Sequence, residues 1–144
     1  MEFKIITAQS PEYDKMIVLR YEILRKPLGL SFSKEDIEQE KDDLFCICQE
    51  NNEILGCCAM TKQRETILKL RQMAVDTKQQ GKGIGAKILL FAEKTAISMG
   101  YEKITFHARA HAEKFYTKYG YTPVGEQFIE VTIPHIKMEK KLLS

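Results

Sequence analysis

The residues best suited to chemistry in this sequence form a cluster of glycines near its middle. Gly81, Gly83 and Gly85 fall within five residues, and Lys78 and Lys82 lie beside them. Glycine lets an anion approach the backbone closely because it has no Cβ. If a helix begins here, its first N–H groups have no partner inside the helix, and the helix dipole adds positive charge. The spacing therefore indicates a phosphate-binding loop, with a simple tight turn as the alternative.

Two known phosphate-loop patterns can be compared with this segment. A P-loop requires G-x-x-x-x-G-K-[ST], but Ala86 stands at the second glycine position and Ile88 at the hydroxyl position, which excludes it. The dinucleotide pattern G-x-G-x-x-G/A fits residues 81–86, with Glu102 downstream. However, that motif directly follows a buried strand, whereas five polar residues separate Val75 from the first glycine here. A dinucleotide-binding protein stays open as an alternative.

Two histidines and a glutamate are candidate proton acceptors. His107 shares one face of a predicted strand with Arg109, and that face meets solvent, a helix or a cleft. His135 follows Pro134, which marks a strand edge or a bulge, and histidine titrates near neutral pH. Glu130 can act through a water molecule. For all three, exposure to solvent without a catalytic role is the competing interpretation.

Four cysteines raise the question of a metal site. Cys46, Cys48, Cys57 and Cys58 form C-x-C and C-C pairs, whereas structural zinc sites show C-x₂₋₄-C spacing. Free cysteine packs as a small apolar residue. We therefore predict that the four thiols pack in the core and that the chain holds no metal.

The apolar pattern predicts the elements that position these residues, in the order β-α-α-β-β-β-α-β-α-β-β. The predicted strands cover residues 3–8, 44–48, 54–60, 66–75, 103–109, 121–126 and 128–138, and the predicted helices 11–28, 33–40, 84–99 and 111–119. Ser10, followed by Pro11, is the expected N-cap of the first helix, and Ser33, with Asp36 three residues on, that of the second.

The composition is that of one globular domain spanning residues 1–144. Its 22 Lys and Arg against 20 Asp and Glu give a net charge of +2, which argues against a nucleic-acid binder. No apolar run approaches the roughly 18 residues of a membrane span, and the first residues lack the pattern of a signal peptide. We therefore expect a cytoplasmic protein with reduced thiols and neither a nucleic-acid nor a membrane partner.

Several segments resemble signatures of the GNAT superfamily of acyl-CoA-dependent N-acyltransferases. Gln80–Gly85 fits the loop pattern Q/R-x-x-G-x-G/A, and His111–Tyr121 resembles the family's short helix with FYxKxGY. Arg71–Asp76 is similar to its fourth strand, and Gly125–Met138 resembles the tail of a bacterial subgroup. The resemblance covers the whole chain. It implies a single-domain α/β fold with a mixed, mostly antiparallel central sheet flanked by helices.

The resemblance implies acetyl-CoA as co-substrate. In the family, loop amides hold the pyrophosphate of coenzyme A, and the preceding strand pairs with the pantetheine arm where it splays from the next strand. A strand edge offers N–H and C=O groups to such an extended chain. The implied cofactor residues are Met73, Ala74, Val75, Gln80, Gly81, Lys82, Gly83, Ile84, Gly85, Ala86 and Tyr116.

The resemblance also implies direct attack of an amine on the acetyl thioester. The amine must lose a proton to a base, and the oxyanion needs a donor near Val75. In the family the departing thiolate often takes its proton from the tyrosine that corresponds to Tyr116; the competing interpretation is that Tyr116 packs in the core. The predicted catalytic residues are Tyr116, His135 and Glu130.

Acceptor binding is predicted for Arg20, His107 and Arg109. Arg109 stands where the family often has asparagine, so it faces either the acceptor or the coenzyme phosphates. The first helices wall the acceptor site in the family, so Arg20 recognises an acidic group or is a surface arginine with a packed stem. The acidic residues between Glu35 and Asp43 favour a cationic acceptor or only solvate a short helix.

These observations predict an N-acetyltransferase that moves an acetyl group from acetyl-CoA to a primary amine of a small molecule or a peptide. Dimers are frequent in the family, so a homodimer is one expected assembly. A non-catalytic acyl-CoA-binding sensor or interaction module of the same fold stays open as the alternative function.

Overall fold

The computed structural model describes residues 1–142, and its elements follow the predicted order. The strands are β1 Glu2–Thr7, β2 Leu44–Glu50, β3 Glu53–Arg64, β4 Ile67–Val75, β5 Lys103–Arg109, β6 Thr122–Glu130 and β7 Ile133–Lys141. The helices are α1 Tyr13–Arg20, α2 Lys34–Gln39, α3 Ile84–Ser98 and α4 Glu113–Lys118. Short 3₁₀ turns cover Lys26–Leu28, Thr77–Gln79 and Ala110–Ala112.

The strands form one seven-stranded sheet in the order β1-β2-β3-β4-β5-β7-β6, flanked by helices. The pairs β1–β2, β2–β3, β5–β7 and β6–β7 are antiparallel, and β4 pairs with β5 in parallel. The predicted fold class, a mixed and mostly antiparallel sheet in an α/β fold, is confirmed.

The first helix differs from its prediction at its start, whereas helical winding of changing type continues to the predicted end at Leu28. Ser10 is not its N-cap, because the Ser10 hydroxyl accepts from the Thr7 N–H at 3.0 Å in the preceding turn. The helix begins at Tyr13, and Glu12 precedes it without a side-chain cap bond. Beyond Arg20 the chain winds more loosely as a π-helix over Tyr21–Arg25.

The N-cap predicted at Ser33 is confirmed by its geometry. Ser33 accepts from the Asp36 N–H at 3.0 Å while the Asp36 carboxylate accepts from the Ser33 N–H at 2.9 Å, which is a capping box. The β2–β3 hairpin turns at Asn51 and Asn52, whose φ angles of 52° and 66° match the tight turn that such hairpins prefer.

The boundary predicted between the last two strands was wrong. β6 continues to Glu130, with a register shift between Val124 and Phe128 where Gly125 adopts a φ of 77°. The chain turns instead at Val131 and Thr132, with φ angles of 52° and 66°. β-Branched residues rarely adopt positive φ, so no turn signal marks this position in the sequence.

The chain divides into two compact units, each with its own packed interior. Unit 1 contains Met1–Thr61 and Arg71–Lys94, and unit 2 contains Lys62–Leu70 and the described residues from Thr95 onward. In unit 1, buried side chains of α1 pack on those of β2 and β3 in one cluster, with Met16, Phe45 and Cys57 fully buried. In unit 2, Phe106, Tyr116 and Tyr121 form an aromatic cluster.

Within residues 1–142, every helix is too short or too polar to span a membrane.

Candidate functional site

The glycine loop of unit 1 connects β4 to α3 and is tied down at its start. The Asp76 N–H donates to the Leu55 carbonyl at 2.9 Å, and the Asp76 carboxylate accepts from the Lys78 N–H at 2.9 Å. The Gln80 side chain donates from Nε2 to the Val75 carbonyl at 3.1 Å. Gln80 therefore fastens the start of the glycine segment to the end of β4, and this fixes where the loop begins.

Glycine is required in this loop by its backbone conformation. Gly81 and Gly83 adopt φ angles of 84° and 81°, a region that side chains disfavour. A Cβ added at either position would meet no atom within 4 Å, so the space beside both glycines is open. The loop is thus held in one shape while its backbone stays accessible from outside.

Several amides of the loop point to no acceptor in the part of the chain that the structure describes. The Lys82 N–H donates to the Gln79 carbonyl at 3.3 Å, and the Lys87 N–H to the Gly83 carbonyl at 3.1 Å. The N–H groups without such a partner are those of Gly81, Gly83, Ile84, Gly85 and Ala86. They surround the N-terminus of α3, a helix of 15 residues whose dipole adds positive potential there. This arrangement can bind a phosphate or pyrophosphate.

The end of β4 lies directly before the loop. Ala74 is buried, whereas Met73 and Val75 are half-buried. Gln72 adopts a φ of 56°, which interrupts the regular strand just before these residues. The predicted pantetheine-binding residues and the predicted pyrophosphate loop are therefore consecutive parts of unit 1.

Arg20, a predicted acceptor residue, is buried in unit 1. Its guanidinium donates two hydrogen bonds to Glu40, at 2.8 and 3.0 Å, and only 1% of the residue is exposed. Tyr13 donates to the same carboxylate at 2.8 Å, and the Phe32 ring lies 4.9 Å from the guanidinium. Burial and the bond to Glu40 raise the pKa of Tyr13 well above its usual range. The interpretation of Arg20 as a surface arginine was wrong.

Two of the acidic residues between Glu35 and Asp43 are not exposed to solvent. Glu40 and Asp43 are buried, 1% and 8% exposed. Asp43 accepts from the Thr61 hydroxyl at 2.7 Å and lies 3.6 Å from Arg71, and burial raises the pKa of its carboxyl. The interpretation that the whole run solvates a helix was therefore wrong for these two residues. No local pattern indicates their burial, because the partners of Glu40 and Asp43 lie far away in sequence.

Tyr116 lies on α4 in unit 2, on the side that faces β5. Its ring is 4.3 Å from the Phe106 ring and 6.2 Å from the Tyr121 ring, and the side chain is half-buried. The neighbouring Phe115 is 38% exposed. Tyr116 thus combines aromatic packing with partial exposure, as a phenol that donates a proton requires.

The structure brings two of the predicted residues of unit 2 together. Nδ1 of His107 on β5 lies 2.8 Å from Oε2 of Glu130 on β6, and the Phe128 ring packs edge-on against the imidazole at 4.9 Å. Burial, and next the positive charge of Lys69, lower the pKa of His107 below its usual range, while Glu130 acts in the opposite direction. The contact spans 23 residues of sequence, so neither strand pattern alone indicates it.

His135 does not lie on an edge strand, but it lies beside an irregularity of the kind given as the alternative prediction, because β6 shifts register between Val124 and Phe128, and Phe128 pairs with His135. β7 is flanked by β5 and β6, and His135 pairs with Arg109 on one side and Phe128 on the other. It is only 7% exposed, and its Nδ1 lies 2.9 Å from the Ile133 carbonyl. Pro134 has no N–H to donate to a neighbouring strand. It is tolerated because the pairing of β7 with β5 begins one residue later, at His135.

Arg109 lies at the end of β5 and is half-buried. Burial lowers the pKa of its guanidinium, although an arginine stays charged at any physiological pH. It shares its face of β5 with His107, so the two predicted acceptor residues of unit 2 lie on the same surface of the sheet.

The four cysteine thiols are free and buried, as the packing interpretation predicted. Burial raises the pKa of Cys46 and of Cys57 to about 12, so both thiols are protonated and poor nucleophiles at neutral pH. Among the described residues, no group of three or more His, Cys, Asp or Glu side chains is arranged to hold a metal ion.

The family model described as an acetyltransferase (GNAT) domain matches residues 22–142 of this chain. This match covers most of the sequence, and it includes the glycine loop, the end of β4 and the α4 helix described above. The chain belongs to the GNAT acetyltransferase family.

Solved structures show the same fold. The chain is similar to an acyl-CoA N-acyltransferase from Pseudomonas aeruginosa, with 19% identity, a TM-score of 0.85 and coverage of 96% of this chain and 98% of that one. It is similar to an aminoglycoside 6'-N-acetyltransferase complexed with coenzyme A, with 18% identity, a TM-score of 0.81 and coverage of 100% and 98%. It is also similar to a GNAT family acetyltransferase from Elizabethkingia anophelis with acetyl-CoA bound, with 23% identity, a TM-score of 0.73 and coverage of 98% and 97%.

Proposed function

We propose that this protein is an N-acetyltransferase that moves an acetyl group from acetyl-CoA to a primary amine. The observation that carries the proposal is the set of unbonded backbone amides around Gly81 and Gly83, at the N-terminus of α3. Such amides bind the pyrophosphate of coenzyme A without a side-chain ligand. Lys78 and Lys82 add positive charge beside the loop.

The comparison structures support coenzyme A as the ligand of this loop. Two proteins with the same fold are described with coenzyme A or acetyl-CoA bound. We propose that the cofactor residues of this chain are those predicted from the sequence: Met73, Ala74, Val75, Gln80, Gly81, Lys82, Gly83, Ile84, Gly85, Ala86 and Tyr116. The half-buried end of β4 supports the pantetheine contact, since its backbone can pair with an extended amide chain.

The proposed chemistry is direct attack of the amine nitrogen on the thioester carbonyl carbon. A backbone N–H near Val75 stabilises the oxyanion, and Tyr116 gives its phenol proton to the departing thiolate. Half-burial of Tyr116 on a short helix supports this role, because the ring is oriented by Phe106 and Tyr121. His135, also predicted as catalytic, is nearly inaccessible, so its proposed role is limited to supporting its neighbours.

We propose a small-molecule amine or a peptide amine as the acceptor, bound near His107 and Arg109. Arg20 has no part in this proposal because Glu40 balances its charge inside unit 1. A preference for cationic acceptors rests on the exposed acids Glu35 and Glu38. Turnover of only neutral or acidic amines would contradict that preference.

The proposal also includes a cytoplasmic homodimer, whose mass light scattering would measure.

The test of the proposed function is release of free thiol from acetyl-CoA in the presence of amines. The panel contains cationic, neutral and acidic small amines and short peptides with free N-termini or lysines. The buried cysteines contribute little background in such an assay because their thiols are protonated. We expect amine-dependent thiol release. Tyr116→Phe should lower kcat by about 10-fold or more, because general acid catalysis typically contributes at least that much.

The matched control is Tyr119→Phe, which removes the same hydroxyl three residues further along the chain. It should leave kcat unchanged. Binding of acetyl-CoA without turnover of any amine would favour the sensor function instead. Stabilisation of the protein by NAD but not by coenzyme A would contradict the proposal and favour the dinucleotide alternative.

A further inference from the structure

His107 and Glu130 form a carboxylate–histidine pair on one face of unit 2. Nδ1 of His107 and Oε2 of Glu130 are 2.8 Å apart. The imidazole is also fixed by Phe128, whose ring packs edge-on against it at 4.9 Å. The two side chains are 31% and 42% exposed, so the pair can be reached by a small molecule while its geometry is held by packing.

A carboxylate at Nδ1 determines which nitrogen of a neutral imidazole carries the proton. Because the carboxylate of Glu130 accepts a hydrogen bond, Nδ1 of His107 donates it and Nε2 keeps its lone pair. No partner for Nε2 occurs within residues 1–142, so this lone pair remains available to a bound molecule. The pair is therefore arranged as a proton acceptor with an orienting carboxylate.

The charges around His107 keep the imidazole neutral near pH 7. Cross-strand pairing places Lys69 on β4, and Lys137 and His135 on β7, on the same face as His107 and Arg109. Two acids share this face: Glu130 contacts the imidazole directly, and Glu139, which pairs with Thr105, contacts Lys103 at 3.2 Å. Burial and the charge of Lys69 lower the pKa of His107, so the imidazole is mostly unprotonated at neutral pH and ready to accept a proton.

We propose that His107 is the general base of the acyl transfer and that Glu130 is its positioning residue. This inference rests on the proposed function and deepens it. It names the residue that accepts the proton of the amine, and it names Glu130 as the group that orients this residue through Nδ1. It selects His107 from the three candidate proton acceptors, where acceptor binding was also predicted for it, and it changes the role of Glu130 from direct catalysis to positioning.

A neutral amine attacks the thioester carbonyl carbon, the N–C bond forms, and Nε2 of His107 takes the proton that the nitrogen loses. The tetrahedral intermediate collapses, the C–S bond breaks, and the thiolate takes a proton from Tyr116. The imidazolium then releases its proton to solvent, and Tyr116 regains one, so an amine and acetyl-CoA become an amide and free coenzyme A.

Nuclear magnetic resonance of the imidazole nitrogens tests the orientation without any turnover. The sequence has three histidines, so each signal can be assigned by substituting one residue at a time. We expect His107 to be the Nδ1–H tautomer at neutral pH. Glu130→Gln should lower the pKa of His107 further, because it removes the negative charge that opposes its depression. An Nε2–H tautomer in the wild-type protein would overturn the proposal.

Kinetics with an amine identified by the acceptor screen test the catalytic role. We expect His107→Gln to lower kcat/KM by about 100-fold, because a general base contributes about that much. The fall of kcat/KM at acidic pH, which is the acidic limb of its pH profile, should disappear in this variant. Glu130→Gln should shift the acidic limb to lower pH, a change that a structural role would not produce. Glu126→Gln, an exposed carboxylate on the same strand, is the control and should leave the profile unchanged.

The outcomes separate this proposal from the proposed function. If the wild-type protein turns over no amine, the proposed function fails and the base role with it. If the wild-type protein is active and His107→Gln keeps both its kcat/KM and its acidic limb, only the base role is overturned. Because Glu130 is half-exposed, Glu130→Gln keeps the kinetic test decisive even if His107→Gln reduces folding.

Discussion

Glu40 is the residue on which the buried charges of unit 1 depend. It accepts hydrogen bonds from both Arg20 and Tyr13, and it is the acid that balances the buried guanidinium. Within the described chain, Nε of Arg20 has no hydrogen-bond partner. The buried guanidinium charge is therefore stabilised by the two hydrogen bonds to Glu40. Removing one member of a buried ion pair costs far more than removing a surface pair.

Glu40→Gln should therefore lower the free energy of unfolding by about 3 kcal/mol, because it leaves the Arg20 charge buried without a counter-charge. Urea denaturation monitored by circular dichroism measures this. The control is Glu38→Gln, which removes a carboxylate that contacts Lys41 at the surface and should change stability little. Replacing both Arg20 and Glu40 by apolar residues should cost less than Glu40→Gln alone. Equal stability of Glu40→Gln and the wild type would contradict this account.

His107 should make the stability of the protein depend on pH. Its pKa is lower in the folded chain than in the unfolded chain, so the unfolded chain binds more protons as the pH falls below the usual pKa of about 6.5. The stabilisation is present above that pH and is lost as the pH falls through the folded pKa. Between pH 7.5 and 5, the unfolding free energy should fall less for His107→Gln than for the wild type, and more for Glu130→Gln. The same slope in all three proteins would contradict the effect.

At the scale of elements, the glycine loop depends on two residues with positive φ. Gly81→Ala or Gly83→Ala forces a side chain into this conformation at a cost of about 1–2 kcal/mol, although no atom blocks the added Cβ. We expect each variant to weaken coenzyme A binding by about 10-fold or more, since the loop amides lose their orientation. Isothermal titration calorimetry measures this affinity.

Gly100→Ala is the matched control for the loop variants. Gly100 ends the same helix, with a φ of 90° and open space around its Cβ position. It should lose stability to a similar degree and keep its affinity for coenzyme A. If Gly100→Ala weakened coenzyme A binding as much as Gly83→Ala, the effect would reflect strain in α3 and not the loop.

The helix α3 also needs a small residue on the strand beneath it. A Cβ at Gly56 on β3 would lie 2.6 Å from Ile88, 3.1 Å from Ile84 and 3.3 Å from the Ala74 carbonyl. Gly56→Ala should therefore lower stability by about 1–3 kcal/mol through overpacking, measured by denaturant unfolding. Ile88→Val in the Gly56→Ala background should recover part of this loss because it removes the nearest methyl group. Lack of any recovery would contradict the close contact.

Local sequence signals predicted the elements that depend on adjacent residues. The N-cap at Ser33, with Asp36 three residues on, is complete within a few residues, and the structure confirms it. Ser10 shows the limit of such signals. Its hydroxyl could cap the first helix or accept a hydrogen bond in the preceding turn, and in the structure it accepts from the Thr7 N–H. The turn at residues 131–132 was missed because two β-branched residues adopt positive φ there.

Contacts between distant residues could not be predicted in this way. The sequence indicated the glycine loop because its residues are consecutive, whereas Arg20 and Glu40, or His107 and Glu130, meet only after the fold has formed. A strand pattern gives the face of a side chain but not its neighbour on another strand. For this reason the sequence predicted the whole glycine loop. It predicted His107 and Glu130 only as separate candidates, without the hydrogen bond between them.

At the scale of the whole molecule, a net charge of +2 hides a local concentration of positive potential. The N-terminus of α3 contributes a dipole, and Lys78 and Lys82 lie in the exposed segment beside it. Coenzyme A at 100 times its dissociation constant should stabilise the protein by about 2.7 kcal/mol. Thermal unfolding with and without coenzyme A measures this stabilisation.

The affinity for coenzyme A should fall as salt rises. The Debye length shrinks from about 10 Å at 0.1 M to about 3 Å at 1 M, so exposed lysines contribute less to binding at high salt. Lys82→Gln should weaken binding at low salt and flatten the dependence on salt, whereas Lys94→Gln, an exposed lysine further along α3, should match the wild type. Calorimetric titrations at 0.05 and 0.5 M salt compare the three proteins. If affinity were independent of salt in the wild type, the backbone amides alone would hold the ligand, and the lysines would have no part in its recognition.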